Sequence, residues 1–417
     1  MKTALRSWWR ASVPALALGA GLAAAVGAPA PAAACGGLVC SGGGPFNQTT
    51  VDQANERILF LTEADPAGGT IETAVIQIQY EGSAADFAWI LPVPEVPMNI
   101  DVAESTFFDE LDAATSPTFN FPFAFAPTAC SVMGCAARSA APGGGAGYGG
   151  DGTGGGSPVN VWGTGTVGPY EMAVISSDTI DPLVDWIWRH GYSAPDGFLD
   201  IADDYVKENY KFVVLRLAPD AGVDQLDPLV IQYHEEVPCV PLRLTSIASV
   251  PDMGVRVYIV GPSRAVPLNF GVVAPDYGKL AFSANGINDY ESFTAGEIEG
   301  AGGKAWVTEF AGPAANVLSN PSTGVTVTSG SVLSYLGAGT YVTRLYTKIS
   351  PWEMDEDPFF QFDPNGVDVD NLHVVQITRT VGAAMTGWNP GLAGDALLVA
   401  GLLGLVALRR LRRRPAR

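Results

Sequence analysis

Cys239 is the residue whose setting comes closest to covalent chemistry. It stands in Val237-Pro238-Cys239-Val240-Pro241, between two prolines that hold the backbone extended. A thiol with a histidine beside it in space is a nucleophile. The chain has three histidines, His190, His234 and His373, and none has HExxH, paired-histidine or zinc-finger spacing. His234 is five residues from Cys239, roughly 16 Å along an extended strand, so the sequence does not make it a partner. His234 follows a strand and precedes Glu235 and Glu236, which reads as a solvent-facing strand end. His190 falls in the last turn of an expected helix, where the dipole favours an imidazolium. The competing reading of Cys239 is a buried free thiol.

A second chemistry is offered by carboxylates. Asp355-Glu356-Asp357 and Asp363-x-Asn365-Gly366-x-Asp368-x-Asp370 place hard oxygen ligands on a turn, as calcium would need. An EF-hand loop wants glycine sixth and glutamate twelfth; here glycine is fourth and Val374 twelfth. Turn chemistry explains Asp-Pro-Asn-Gly equally well. The remaining cysteines are spaced Cys35-x4-Cys40 and Cys130-x4-Cys135, two close pairs suited to local disulfides outside the cytoplasm, with Cys239 left odd. If Cys35 is instead lipidated, four cysteines remain for two bridges, but Ala32-Ala33-Ala34 makes a poor lipobox. No GxSxG or SxxK set is present, and no cofactor is implied. The ten glycines of residues 143–156 lack the lysine, strand and helix of a phosphate loop. Six tryptophans, Trp89, Trp162, Trp186, Trp188, Trp306 and Trp352, suit core packing more than a sugar platform.

The two ends place these groups in a compartment. Lys2, Arg6 and Arg10 precede an apolar stretch and Ala32-Ala33-Ala34, the layout of a signal peptide over residues 1–34. Residues 388–408 are predominantly apolar, 21 residues or about 31 Å as a helix, enough to span a hydrocarbon core. Six arginines follow in residues 409–417, which the positive-inside rule keeps cytoplasmic. The chain is thus expected to be exported, with its bulk outside the cytoplasm at the cell membrane or in the envelope, and its partner to be the membrane itself. Of 23 basic and 43 acidic residues, the three basic groups before Cys35 and the six arginines after Asp395 belong to the ends. Residues 35–394 keep 14 basic and 42 acidic groups, a balance of −28 that repels nucleic acid.

Between the ends, periodicity predicts the elements that position the side chains. Ile76, Ile78 and Tyr80 alternate with Gln77 and Gln79, a half-buried strand within residues 71–80, and residues 86–94 form a second. Phe107, Phe108, Leu111 and Ala114 mark a short helix over residues 104–114. Asp181 and Pro182 open another that Gly191 ends, and a third over residues 197–208 buries Phe198, Ile201, Ala202 and Tyr205. The strand 211–217 follows, giving a helix-helix-strand layer on a sheet. Further strands are expected at residues 229–233, 242–247, 255–260, 324–328, 341–347 and 373–380. The fold class is α+β with β dominant and antiparallel or mixed sheets. The expected division is an N-terminal β-rich domain at 35–138, a glycine-rich linker or insertion at 139–157, and a main α+β domain at 158–387. A length of about 360 residues exceeds what one core serves, so two cores are expected.

Several stretches together resemble a family of exported bacterial proteins known only as domain of unknown function 2330. They are Cys35-Gly36-Gly37 with Cys40, Val51-Asp52-Gln53, Glu56-Arg57-Ile58, Phe87 to Pro94, and Trp186 to Tyr192. Pro241-Leu242-Arg243-Leu244 and the late block Thr343-Arg344-Leu345-Tyr346, Ser350-Pro351, Glu353-Met354 and Asp357-Pro358 complete the likeness, from about residue 35 to 380. Asn55 departs from the family's usual glycine. The resemblance implies export and a shared fold, and supplies no catalytic residues. The sequence therefore points to a non-catalytic envelope protein that engages another envelope component. A thiol hydrolase or transpeptidase-like enzyme using Cys239, and a calcium-binding surface module, are the alternatives.

Overall fold

The computed structural model describes residues 38–41, 52–81, 87–120, 159–193, 197–218, 226–235, 237–280, 282–283, 286–287, 290–320 and 324–375. All of them fall in one compact unit, Ala34–Arg417. The expected signal peptide 1–34, the glycine-rich stretch 139–157, the apolar helix 388–408 and its basic tail lie outside these residues. Among the described residues, no helix is long and apolar enough to cross a membrane.

The chain runs β1 (Leu38–Ser41), β2 (Asp52–Ala64), β3 (Thr70–Glu81), β4 (Phe87–Val93), β5 (Asn99–Val102), α1 (Phe107–Thr115) and β6 (Thr118–Asn120). Next come β7 (Val159–Val167), β8 (Tyr170–Ser177), α2 (Ile180–Arg189), β9 (Tyr192–Ser193), α3 (Phe198–Lys207), β10 (Lys211–Leu217), β11 (Leu229–His234) and α4 (Leu242–Thr245). Then follow β12 (Ser249–Gly261), β13 (Arg264–Pro267), β14 (Gly271–Val273), β15 (Phe282–Ser283), β16 (Gly286–Ile287), α5 (Tyr290–Gly300) and β17 (Ala305–Pro313). The order ends with α6 (Ala314–Leu318), α7 (Gly330–Ala338), β18 (Tyr341–Ile349), β19 (Phe360–Asp363) and β20 (Leu372–Val374).

Two large sheets carry the molecule. One has six antiparallel strands in the order β7-β8-β10-β4-β1-β9. The other has eight, β14-β17-β18-β12-β2-β3-β11-β5, mostly antiparallel but with parallel pairs β2·β12 and β14·β17. β-Dominance with antiparallel and mixed sheets is what the alternation implied. Period-2 burial makes each sheet two-faced. Trp89, Leu91, Val174 and Val213 of the six-stranded sheet meet Ile58, Ile76, Ile231 and Val257 of the eight-stranded one in a central core. The outer face of the smaller sheet, with Ile90, Ile175 and Val214, takes α2 and α3 through Leu183, Ile187, Phe198 and Tyr205. The outer face of the larger, with Leu59, Val75 and Tyr258, takes α1, α6 and α7 through Phe108, Leu111, Val317 and Leu336. Among the described residues, four layers, α-β-β-α, enclose three apolar interfaces, and a small fourth cluster, Ile298, Ala305 and Val307, joins α5 to β17; two cores were expected.

Strands from both sides of the glycine-rich stretch share each sheet: β4 pairs with β10, and β2 and β3 pair with β12 and β11. The division expected at 139–157 therefore does not coincide with a division between sheets. Two expected strands are also corrected. Residues 242–247 form a helical turn instead, in which Thr245 Oγ1 donates to the Pro241 carbonyl and Leu242 and Leu244 point into different cores. Alternation around Arg243 imitated a strand because burial on two sides does not need one. Residues 324–328 pair only through a single bridge, Ser319 to Thr326. The helix opened by Asp181 begins one residue earlier, at Ile180, and Gly191 ends it at φ +85°, a conformation glycine adopts without strain. β20 covers only the start of the strand expected at 373–380, whose later residues are not described.

Candidate functional site

The segment around Cys239 lies where the central core opens at one end. Val237 to Pro241 runs antiparallel to residues 358–360: Cys239 bridges Phe359, Phe360 N–H donates to the Pro238 carbonyl (3.0 Å) and Val240 N–H to the Pro358 carbonyl (3.2 Å). This strap and the end of β4 wall a small pocket of about 60 Å³. Its walls bring together Glu72 of β3, Tyr233 of β11, Tyr205 of α3, Tyr210, Asp357 and Cys239, with Pro92, Pro94 and Phe359 as apolar lining.

Glu72 is there because the inward face of β3 continues past Ile78, Ile76 and Ala74 to an acid. Tyr233 extends the inward face of β11 in the same way and sits opposite it in register. The Tyr233 hydroxyl donates to Glu72 Oε1 (2.8 Å), and Oε2 is buried without a partner. Burial pushes the Glu72 carboxyl up to about 8, with Glu235 adding to the rise and the Tyr233 hydrogen bond opposing it. Asp357 is held by three donors: the Tyr205 hydroxyl (2.6 Å), Arg243 N–H (2.8 Å) and Arg243 Nε (3.2 Å). Arg243 also lies over the Tyr205 ring, 4.4 Å from its centroid. Burial raises the Cys239 thiol well above its ordinary range, and the carboxyls of Asp357 and Glu72 raise it further. The same burial, reinforced by Asp357 and Glu72, keeps the phenols of Tyr205 and Tyr233 protonated.

None of the three histidines lines this pocket. His234 ends β11 and binds Asp65, Nε2 to Oδ2 at 2.9 Å. His190 caps α2, its ring stacked on Trp186 at 3.8 Å. His373 packs against Tyr277 at 4.2 Å and Phe119 at 5.3 Å, and burial lowers its pKa. The cysteine–histidine arrangement that would make Cys239 a nucleophile is thus not assembled, and burial and the surrounding carboxyls disfavour a thiolate. Alkylation of Cys239 by iodoacetamide near neutral pH is expected to run at least about tenfold slower than alkylation of an unhindered cysteine peptide. Peptide-resolved mass spectrometry over time measures this, and a rate equal to the peptide's contradicts it.

The acidic turn resolves into local bonds. Asp363 Oδ1 accepts from Asn365 N–H, Asp368 Oδ1 from the Tyr341 hydroxyl, and Asp370 Oδ1 from Leu372 N–H. Among the described residues, no three acidic, histidine or cysteine side chains converge as a metal would require. Of the four cysteines expected to pair, only the backbone of Cys40 is described, in β1; Cys35, Cys130 and Cys135 lie outside the described residues.

A second polar hollow lies on the opposite face of the larger sheet, lined by Asn55, Arg57, Gln79, Arg256 and Tyr346 among others. Arg57 and Arg256 are register neighbours on β2 and β12, and both reach Asp112 of α1 at 2.9 Å. The Tyr258 hydroxyl donates to the same carboxylate at 2.6 Å. Burial alone would raise the Asp112 pKa; Arg256, Arg344, Tyr258 and Arg57 outweigh it and hold the carboxyl below its ordinary range. These arginines have their counter-charge in place, and the cluster fastens α1 to the sheet. No sequence spacing announced it, because its members come from four separate elements.

Comparison with known proteins gives one match. The family described as an uncharacterized protein conserved in bacteria, DUF2330, matches residues 29–361. No curated protein and no solved structure matches the chain.

Proposed function

The chain belongs to the DUF2330 family of uncharacterized bacterial proteins, and from that premise we propose that it is a non-catalytic, membrane-tethered binding module of the cell envelope. The binding part of this reading is carried by one observation. The pocket at the end of the central core gathers a carboxyl, a thiol and phenols whose surroundings keep them protonated, with no histidine in its lining. Such groups exchange hydrogen bonds with a ligand and do not attack it. The tethered part is supported by charge. Basic flanks border apolar stretches at each end, and the acidic residues 35–394 lie between them, so the positive-inside rule puts the folded part outside the cytoplasm. In that orientation the pocket faces other envelope components, which are its expected partners.

Fractionation of a bacterium expressing the full chain tests the tether. The chain is expected in the membrane fraction and to be digested by protease added to the outer face of spheroplasts, and a chain ending at residue 387 is expected in the medium. Protein recovered intact in the cytosol with its leader uncut would end this reading.

A further inference from the structure

Three acids line the pocket, Glu72, Asp357 and Glu235, and the first two sit in parallel settings that differ in one component. Asp357 has a tyrosine hydroxyl on one oxygen, Tyr205 at 2.6 Å, and a cation, Arg243, which also covers the Tyr205 ring. Glu72 likewise has a tyrosine hydroxyl, Tyr233 at 2.8 Å, with Tyr210 in the same lining, but no cation. Its second oxygen, on a residue with no exposed surface, has no hydrogen-bond partner at all. A buried carboxyl left so, protonated or not, is costly unless a partner arrives.

We propose that this pocket binds the primary ammonium group of a short alkylamine, with the ammonium donating to Glu72 Oε2 and the alkyl stem lying against Phe359, Pro92 and Pro94. The inference rests on the binding role proposed above and names its ligand class. A divalent metal is the weaker occupant: Asp357 already has three donors, and among the described residues no three acidic, histidine or cysteine side chains are placed to hold an ion. An organic cation needs only one unmatched carboxylate and aromatic surface, and both are here. The acidic balance of residues 35–394 draws cations toward the surface. Glu72 is faced by Tyr233 and Glu235 from β11 and its end, by Cys239 from the strap, and by Asp357, with Arg243 held on Asp357. With burial pushing Glu72 up to about 8, the ammonium displaces a proton on binding.

Calorimetry on the full-length protein in detergent, with 1,4-diaminobutane in one arm and a short lysine peptide in the other, tests this. Heat in the first arm alone identifies a free amine, and heat in the second identifies a lysine side chain. In either arm, affinity should rise about tenfold per pH unit between about pH 6 and 8, and two buffers of different ionisation enthalpy should report proton release. Glu72→Gln, with its fold checked by circular dichroism, should abolish both binding and release. No heat at millimolar amine in either arm overturns the proposal, as does binding that is flat with pH in the wild type or equal for 1-butanol. If localisation holds while these arms fail, only the ligand class is wrong; cytosolic localisation would instead remove the envelope reading beneath it.

Discussion

Arg344→Met is expected to destabilise the fold by about 3–5 kcal/mol, the cost of removing one partner from a buried ion pair. Arg344 lies on β18, central in the eight-stranded sheet, and is 2 % exposed. Its Nε donates to Glu309 at 2.6 Å, and Glu309 is itself fully buried. Its Nη1 donates to Thr115 Oγ1 (2.9 Å) and Ser116 Oγ (3.1 Å) and lies 3.4 Å from Asp112. One guanidinium thus ties the end of α1 to two strands of the sheet, and methionine fills its volume without its charge. Glu309 would keep only the Tyr290 hydroxyl, at 2.7 Å. Urea unfolding of the two proteins measures the difference. The double change Arg344→Met, Glu309→Leu should recover much of the loss, because no buried charge is then stranded. A single-variant loss below about 1 kcal/mol would place the pair among exposed bridges of little worth.

Stability should fall as pH rises from about 4.5 to about 8. Glu72 is pushed up to about 8 and Glu56 to about 7, both by burial. In the unfolded chain both titrate near the ordinary glutamate value of about 4.3. A carboxyl raised on folding contributes its full stability below the unfolded value and loses it as pH climbs through the folded one. For Glu72 the difference corresponds to several kcal/mol across that window, at about 1.4 kcal/mol per unit. Asp112 and Asp65 are lowered and act in the opposite sense, weakening the fold only as pH drops below the ordinary aspartate range. Maximum stability is therefore expected on the acid side of neutral. Glu72→Gln isolates one contribution: its advantage over wild type should grow between about pH 5 and 8.5 in denaturant titrations. Parallel curves would show that Glu72 ionises normally in the folded state.

What could be read from the sequence followed the range of the interaction. The alternation in β3 was plain, and Ile76 and Ile78 do point inward while Gln77 faces Arg57 on the outer side. The same parity places Glu72 inward, and an acid at an inward position is the signal that could have found the site. Tyr205 was placed on the buried face of its helix, but not its bond to Asp357, 152 residues away. Two stretches that carry the family resemblance, Pro241 to Leu244 and Asp357-Pro358, turn out to face each other across that pocket wall. The fold's layering was hidden for the same reason. β2 lies parallel to β12 although nearly two hundred residues separate them, and local periodicity holds no record of such a pairing. Arg57, Asp112, Arg256 and Arg344 likewise meet only through topology.

Binding depends on a buried acid in the pocket at the end of the inter-sheet core that stays protonated for want of a counter-charge. Infrared difference spectroscopy of wild type against Glu72→Gln reads that proton directly. The account predicts a protonated-carboxyl carbonyl band in the wild type at neutral pH, missing from the variant, fading near pH 8 and replaced by carboxylate when amine is added. A wild type with no such band at pH 6, its Glu72 already ionised, would contradict it.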